Sequence, residues 1–81
     1  MNKNEIIKTL VTKYGVVETL RFYLRGVHDS ASAMKVGVAD NNPLLAVKNL
    51  ESLIEGLQYM EIIISDKDNR PAINGLEKSL K

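Results

Sequence analysis

Apolar residues recur along most of this chain at the alternating steps of three and four that one face of an α-helix requires, and three polar or helix-breaking points punctuate them. From about Lys3 to Tyr14, residues Ile6, Ile7, Leu10, Val11 and Tyr14 share a face, and Gly15 stands where a helix ordinarily ends. From about Val16 to Asp40 a longer seam runs through Leu20, Leu24, Val27, Ala31, Met34 and Val38 in uninterrupted a/d register. Asp40-Asn41-Asn42-Pro43 breaks it. Asn42 is placed to cap the next helix through its side-chain oxygen, and Pro43 to open it at a position where a missing N–H does no harm. A third helix, about Pro43 to Ser65, repeats the alternation with Ala46, Leu50, Leu53, Leu57, Met60 and Ile64, widened by Val47 and Ile54. After the polar break Asp66-Lys67-Asp68-Asn69-Arg70, Pro71 opens a short last helix with Ile73, Leu76 and Leu80 on one face; Gly75 weakens it by roughly 1 kcal/mol relative to Ala. No stretch alternates with the period of a strand.

This pattern predicts a single all-α domain over residues 1–81. Two matched seams joined by a tight turn should fold back as a long antiparallel two-helix hairpin, with short N- and C-terminal helices beside it. Each long helix nevertheless carries more apolar or small surface than one hairpin seam consumes. On the second helix Gly26, Ser30, Ala33 and Gly37 form a stripe of small residues to one side of the seam, flanked by Thr19 and Tyr23; on the third, Leu44, Leu45, Ile62 and Ile63 lie off its seam. An 81-residue chain buries only about 60% of the surface its unfolded form exposes, and contiguous apolar patches are uncommon on monomers. A homo-oligomeric bundle is therefore expected, with Gly26, Ser30, Ala33 and Gly37 as its interface, because small side chains let another helix approach closely.

Composition and charge exclude more than they suggest. Eleven Lys and Arg against ten Asp and Glu leave a formal net charge of +1, so there is no general electrostatic reason to bind nucleic acid or an anionic membrane. With no cysteine, neither a disulfide framework nor a thiolate metal site is possible, and nothing points to an oxidising compartment. The longest purely apolar run is Ile62-Ile63-Ile64, against about 20 residues for a membrane-spanning helix. The start of the chain has no apolar stretch long enough for a signal-peptide core, and a cytoplasmic location is expected. Catalysis lacks an inventory. His28 is the single histidine, the five glycines fall singly, and Glu51 and Glu55 share a helical face without the Glu-x-x-His partners of a di-iron bundle. No enzyme, metal or cofactor is expected.

One constellation stands out. Arg21, Arg25, His28, Ser32 and Lys35 hold one side of the second helix at the spacing of the core itself, forming a basic ribbon, and Tyr23 lies nearby. Arg offers a planar fork of donors to an oxyanion, and His28 adds a donor that depends on protonation, so the ribbon suits phosphates or a carboxylate-rich partner. The simpler reading is a solvated flank, or one that faces Glu51 and Glu55 across the hairpin. Tyr14, Tyr23 and Tyr59 fit the rim of a core as well as a stacking role. With no Trp and one Phe, a platform for single-stranded nucleic acid is not expected.

The stretch Ala46-Val47-Lys48-Asn49-Leu50-Glu51, following a long helix and a polar turn, resembles the second arm of the helical hairpin in phage proteins that sequester the cyclic nucleotide signals of bacterial defence systems. The resemblance is confined to the third helix; where that family carries a tryptophan downstream, Leu57-Gln58-Tyr59-Met60 stands here. It implies a non-catalytic helical protein that sequesters or blocks a host partner or a small phosphorylated signal. A chaperone-like or immunity-type bundle that binds a partner helix is the alternative.

Overall fold

The computed structural model describes residues 2–79. It is all-α, with no strand among the described residues: α1 spans Lys3–Tyr14, α2 Val16–Ala39, α3 Pro43–Ser65 and α4 Arg70–Ser79, with a 3₁₀ turn at Lys67–Asn69 before α4. Leu80, expected on the apolar face of the last helix, lies outside the described residues. No helix among them is long and apolar enough to cross a membrane.

The ends of these helices follow from local chemistry. Asn2 caps α1, its side-chain oxygen accepting from the Glu5 amide at 2.9 Å. Gly15 adopts φ 88°, which glycine takes without the steric cost of a Cβ, so the chain ends α1 and begins α2 within one residue. At the other end of α2 the Asn42 amide donates to the Gly37 carbonyl at 2.7 Å and the Asn41 amide to that of Val38 at 3.1 Å. That is the Schellman pattern, with Asn41 at φ 53° where glycine is usual. Asn42 then caps α3 by accepting from the Leu45 amide at 3.2 Å, and Pro43 follows in the first turn.

Which faces meet is set by side-chain size. A Cβ added to Gly37 would lie 2.9 Å from the Ala46 amide nitrogen, and one added to Gly56 would lie 2.7 Å from Val27 Cγ2. Tyr23 stacks on Tyr59 with centroids 4.8 Å apart. Ten residues separate Gly37 from Val27 and ten separate Ala46 from Gly56, so the contacts step in opposite senses and α2 and α3 run antiparallel along most of their length.

The side of α2 turned to α3 thus carries Tyr23, Val27 and Gly37, and the side of α3 turned to α2 carries Ala46, Gly56 and Tyr59. This corrects two expectations. Gly37, assigned to a subunit interface, is buried against α3 of its own chain; Ser30 and Ala33 are half-buried, and Gly26 is exposed. The leucine seams assigned to the inside of the hairpin are split: Leu20, Val27 and Met34 of α2 and Ala46, Leu53 and Met60 of α3 are half-buried, with Val27 against Gly56, whereas Leu24, Ala31, Val38, Leu50, Leu57 and Ile64 are exposed, Val38 at 69%, as is the flanking Ile54. The physical reason is distance. Small residues let the two backbones approach closely, and the larger apolar side chains are displaced to the adjoining face.

The buried core sits at the end where α2 begins and α3 finishes, with α1 and α4 packed beside it. Its fully or nearly fully buried apolar residues are Ile7 from α1, Ile63 from α3 and Ile73 from α4. Asn69 is buried with them, and its side-chain amide donates to the Ile63 carbonyl at 3.0 Å. Arg70 donates to the Ile64 carbonyl at 3.3 Å. The segment that reads as a polar break therefore satisfies the last carbonyls of α3, which lack partners within their own helix. The long helices extend away from this core toward the Asp40–Asn42 turn, and the molecule is a slab of 44 × 36 × 18 Å.

Candidate binding surfaces

The ribbon residues fall on the outer surface of α2. Arg21, Arg25, His28 and Lys35 are all exposed, as is Ser32. Arg21 donates to Glu18 of its own helix at 2.8 Å, and His28 Nδ1 lies 3.8 Å from the carboxylate of its neighbour Asp29. Both contacts are solvent-exposed, and pairs of this kind contribute little to stability. Among the described residues neither Glu51 nor Glu55 is ion-paired to the ribbon. Among the described residues the four cations lie along the open outer surface of α2.

Two of the singled-out residues do come together. Tyr23 and Arg25 line an open groove of about 520 Å³ between α2 and α3, with Phe22, Ser52, Glu55 and Tyr59 around them. Its shape follows from glycine. Gly26, with nothing within 4 Å of its Cβ position, and Gly56, pressed against Val27, add no side chains to the groove. The rings of Tyr23 and Tyr59 lie within 9° of parallel, and Phe22 meets Tyr23 edge-on at 5.1 Å. Lys3 reaches this end of the groove from α1, its ammonium 5.6 Å from the Tyr59 ring centre and hydrogen-bonded to Gln58. Burial, and then the neighbouring Tyr59 and Glu55, raise the Tyr23 hydroxyl above the usual tyrosine value, so it stays a neutral donor and acceptor at physiological pH. The sequence singled out Tyr23, Glu55 and Tyr59 separately, Glu55 as a carboxylate facing the ribbon across the hairpin and the tyrosines as core-rim or stacking residues, but gave no signal for Ser52, which joins the groove only because α3 folds back on α2.

With α2 and α3 antiparallel, their open apolar residues fall on a shared face. At 3.6 residues per turn, Leu20, Leu24, Ala31 and Val38 lie to one side of the line of contact on α2 and the groove residues Phe22 and Gly26 to the other; on α3, Val47, Leu50, Ile54 and Leu57 lie on the same side as Leu24. The molecule thus presents an apolar face on one side of the long helices and an aromatic, mixed-charge groove on the opposite side. Among the described residues no cluster of three or more His, Asp or Glu is arranged to hold a metal. No protein-family model, no curated protein and no solved structure matches this chain.

Proposed function

We propose that this chain is a non-catalytic, cytoplasmic helical binding protein that sequesters or blocks another protein, in the manner of counter-defence proteins encoded by phages and mobile elements. The observation that supports it is the groove between α2 and α3, where Tyr23, Tyr59 and Phe22 offer ring surface and Arg25 and Glu55 offer one charge of each sign. Aromatic and arginine side chains supply much of the energy of protein–protein recognition. A carboxylate in the same groove as the arginine suits a protein surface carrying both signs better than a small phosphorylated signal. The counter-defence setting rests on the resemblance of α3 to the hairpin arm of the phage sequestering proteins.

The test compares the unmodified chain with Arg25→Ala in two measurements: capture from a lysate of the host, and calorimetry with a panel of cyclic dinucleotides. Arg25 is exposed, so its truncation leaves the fold intact. We expect a discrete captured protein whose affinity drops more than about tenfold in Arg25→Ala, since a hydrogen bond to a charged group contributes roughly 1.5–3 kcal/mol. Heat of binding from a cyclic dinucleotide, lost in the variant, would move the reading to the phosphorylated ligand. Unchanged capture and no heat would remove the groove as a site. The open apolar face favours a second reading, a chaperone-like or immunity-type module that holds a partner helix.

A further inference from the structure

We infer that a second copy of this chain covers the apolar face, the two hairpins stacking face to face about a two-fold axis parallel to their long helices to complete a four-helix bundle. The face concerned is formed by Leu24 and Val38 of α2 and by Val47, Leu50, Ile54 and Leu57 of α3, all exposed. It lies toward the Asp40–Asn42 turn, beyond the end where α1 and α4 pack.

Surface area is the first ground. The chain exposes 6078 Å², whereas a compact monomer of 9.0 kDa exposes about 4,900 Å². The excess of about 1,200 Å² is more than the roughly 800 Å² that each partner contributes to a stable complex.

Register is the second. Leu24, Ala31 and Val38 recur at sevens on α2, as do Leu50 and Leu57 on α3, with Val47 and Ile54 likewise. This is the knob spacing by which helices in bundles interdigitate.

Charge is the third, and it selects the axis. Beyond the apolar face, the outer edge of α2 carries Arg21, His28 and Lys35, while the outer edge of α3 carries Glu51, all exposed; Glu61 continues the row of Val47 and Ile54 at the far end of the face. A two-fold axis parallel to the helices lays α2 of one copy along α3 of the other, so the basic edge meets Glu51 twice. A two-fold axis across the helices lays α2 on α2 and sets like charges together. Because Gly37 stands opposite Ala46 and Val27 opposite Gly56, Lys35 is level with position 48, less than one helical turn from Glu51. Lys48 itself is turned to the far side of α3. The Lys35–Glu51 contact between copies is therefore the specific pair this arrangement makes.

Sedimentation equilibrium over the micromolar range tests it with variants at exposed positions. The unmodified chain should sediment as a dimer of about twice its 9.0 kDa mass. Lys35→Glu and Glu51→Lys should each weaken the dimer by about tenfold or more, because each turns two symmetry-related attractions into repulsions. The combined Lys35→Glu/Glu51→Lys variant should return to within about threefold of the original. Ile54→Glu should be monomeric while circular dichroism still reports helix. A monomer throughout the range, single reversals without effect, or a double reversal that fails to restore the dimer would each overturn the inference.

Discussion

Ile63→Ala is expected to destabilise the chain by about 2–5 kcal/mol, the range for truncating a well-packed isoleucine to alanine. Ile63 has 0% exposure and is the most deeply buried large side chain. It lies near the end of α3, the helix against which α1 and the 3₁₀ turn pack, with Ile7 and Ile73 as the other closely buried apolar residues. A cavity there has few neighbours able to collapse into it. The carbonyl of Ile63 also receives the buried Asn69 amide, so loosening this point threatens a satisfied polar group as well as apolar packing. For a domain of this length each kcal/mol moves the melting temperature by about 4–8 °C, and total stability is commonly only 5–15 kcal/mol, so a loss of about 10 °C or more is the expected reading in a thermal melt. Leu44→Ala is the control. That side chain is 67% exposed, and its truncation should change stability by no more than about 0.5 kcal/mol. Similar melts for the two variants would show that the core is not at Ile63.

Gly37→Ala and Gly37→Leu are expected to destabilise despite the better helix propensity of both replacements. The Cβ of either would stand 2.9 Å from the Ala46 amide nitrogen, 3.3 Å from Ala46 Cα and 3.3 Å from the Asn42 carbonyl oxygen. Every one of these atoms is backbone, so no flexible side chain can yield, and α3 must move away from α2. Gly→Ala in a helix interior gains about 1 kcal/mol at an unconstrained site. Here overpacking of about 1–3 kcal/mol outweighs that gain for alanine, and leucine costs more. Gly75→Ala supplies the opposite sign. Nothing lies within 4 Å of its Cβ position and it sits inside α4, so that substitution should stabilise by roughly 0.5–1 kcal/mol. Denaturant melts of the three variants decide the matter: a stabilising Gly37→Ala would mean that α2 and α3 are not in close contact there.

The helix ends were legible in the sequence because their causes are local. Asn42 and Pro43 announce α3, and Gly15 marks the junction of α1 and α2, through groups that lie within a few residues of one another. The pairing of faces was half legible. Periodicity reveals which residues share a side of a helix; it does not reveal where on that side the neighbour is centred. Half of each seam, Leu20, Val27 and Met34 on α2 and Ala46, Leu53 and Met60 on α3, is half-buried, while Leu24 and Val38 stay outside because the close approach at Gly37–Ala46 and Gly56–Val27 centres the contact nearer the small residues. The groove was half legible for the same reason. Tyr23 and Arg25 are near neighbours on α2, whereas Glu55 and Tyr59 reach them across the chain. Asn69 and Arg70 read as linker because their partners, the final carbonyls of α3, become available only once the chain has turned.

The placement of the buried core at one end of the slab also fixes how a single chain responds to temperature. The heat capacity gained on melting scales mainly with newly wetted hydrocarbon, at about 0.45 cal/mol/K per Å², and much of the hydrocarbon here is already wet along the outer sides of the long helices. Scanning calorimetry of a monomeric form such as Ile54→Glu should therefore return a heat-capacity increment below the roughly 12–15 cal/mol/K per residue of ordinary domains. Its stability curve is correspondingly shallow, and cold weakens it less than it weakens a protein with a large central core. A full-sized increment in that variant would mean that the outer hydrocarbon is covered even in the lone chain.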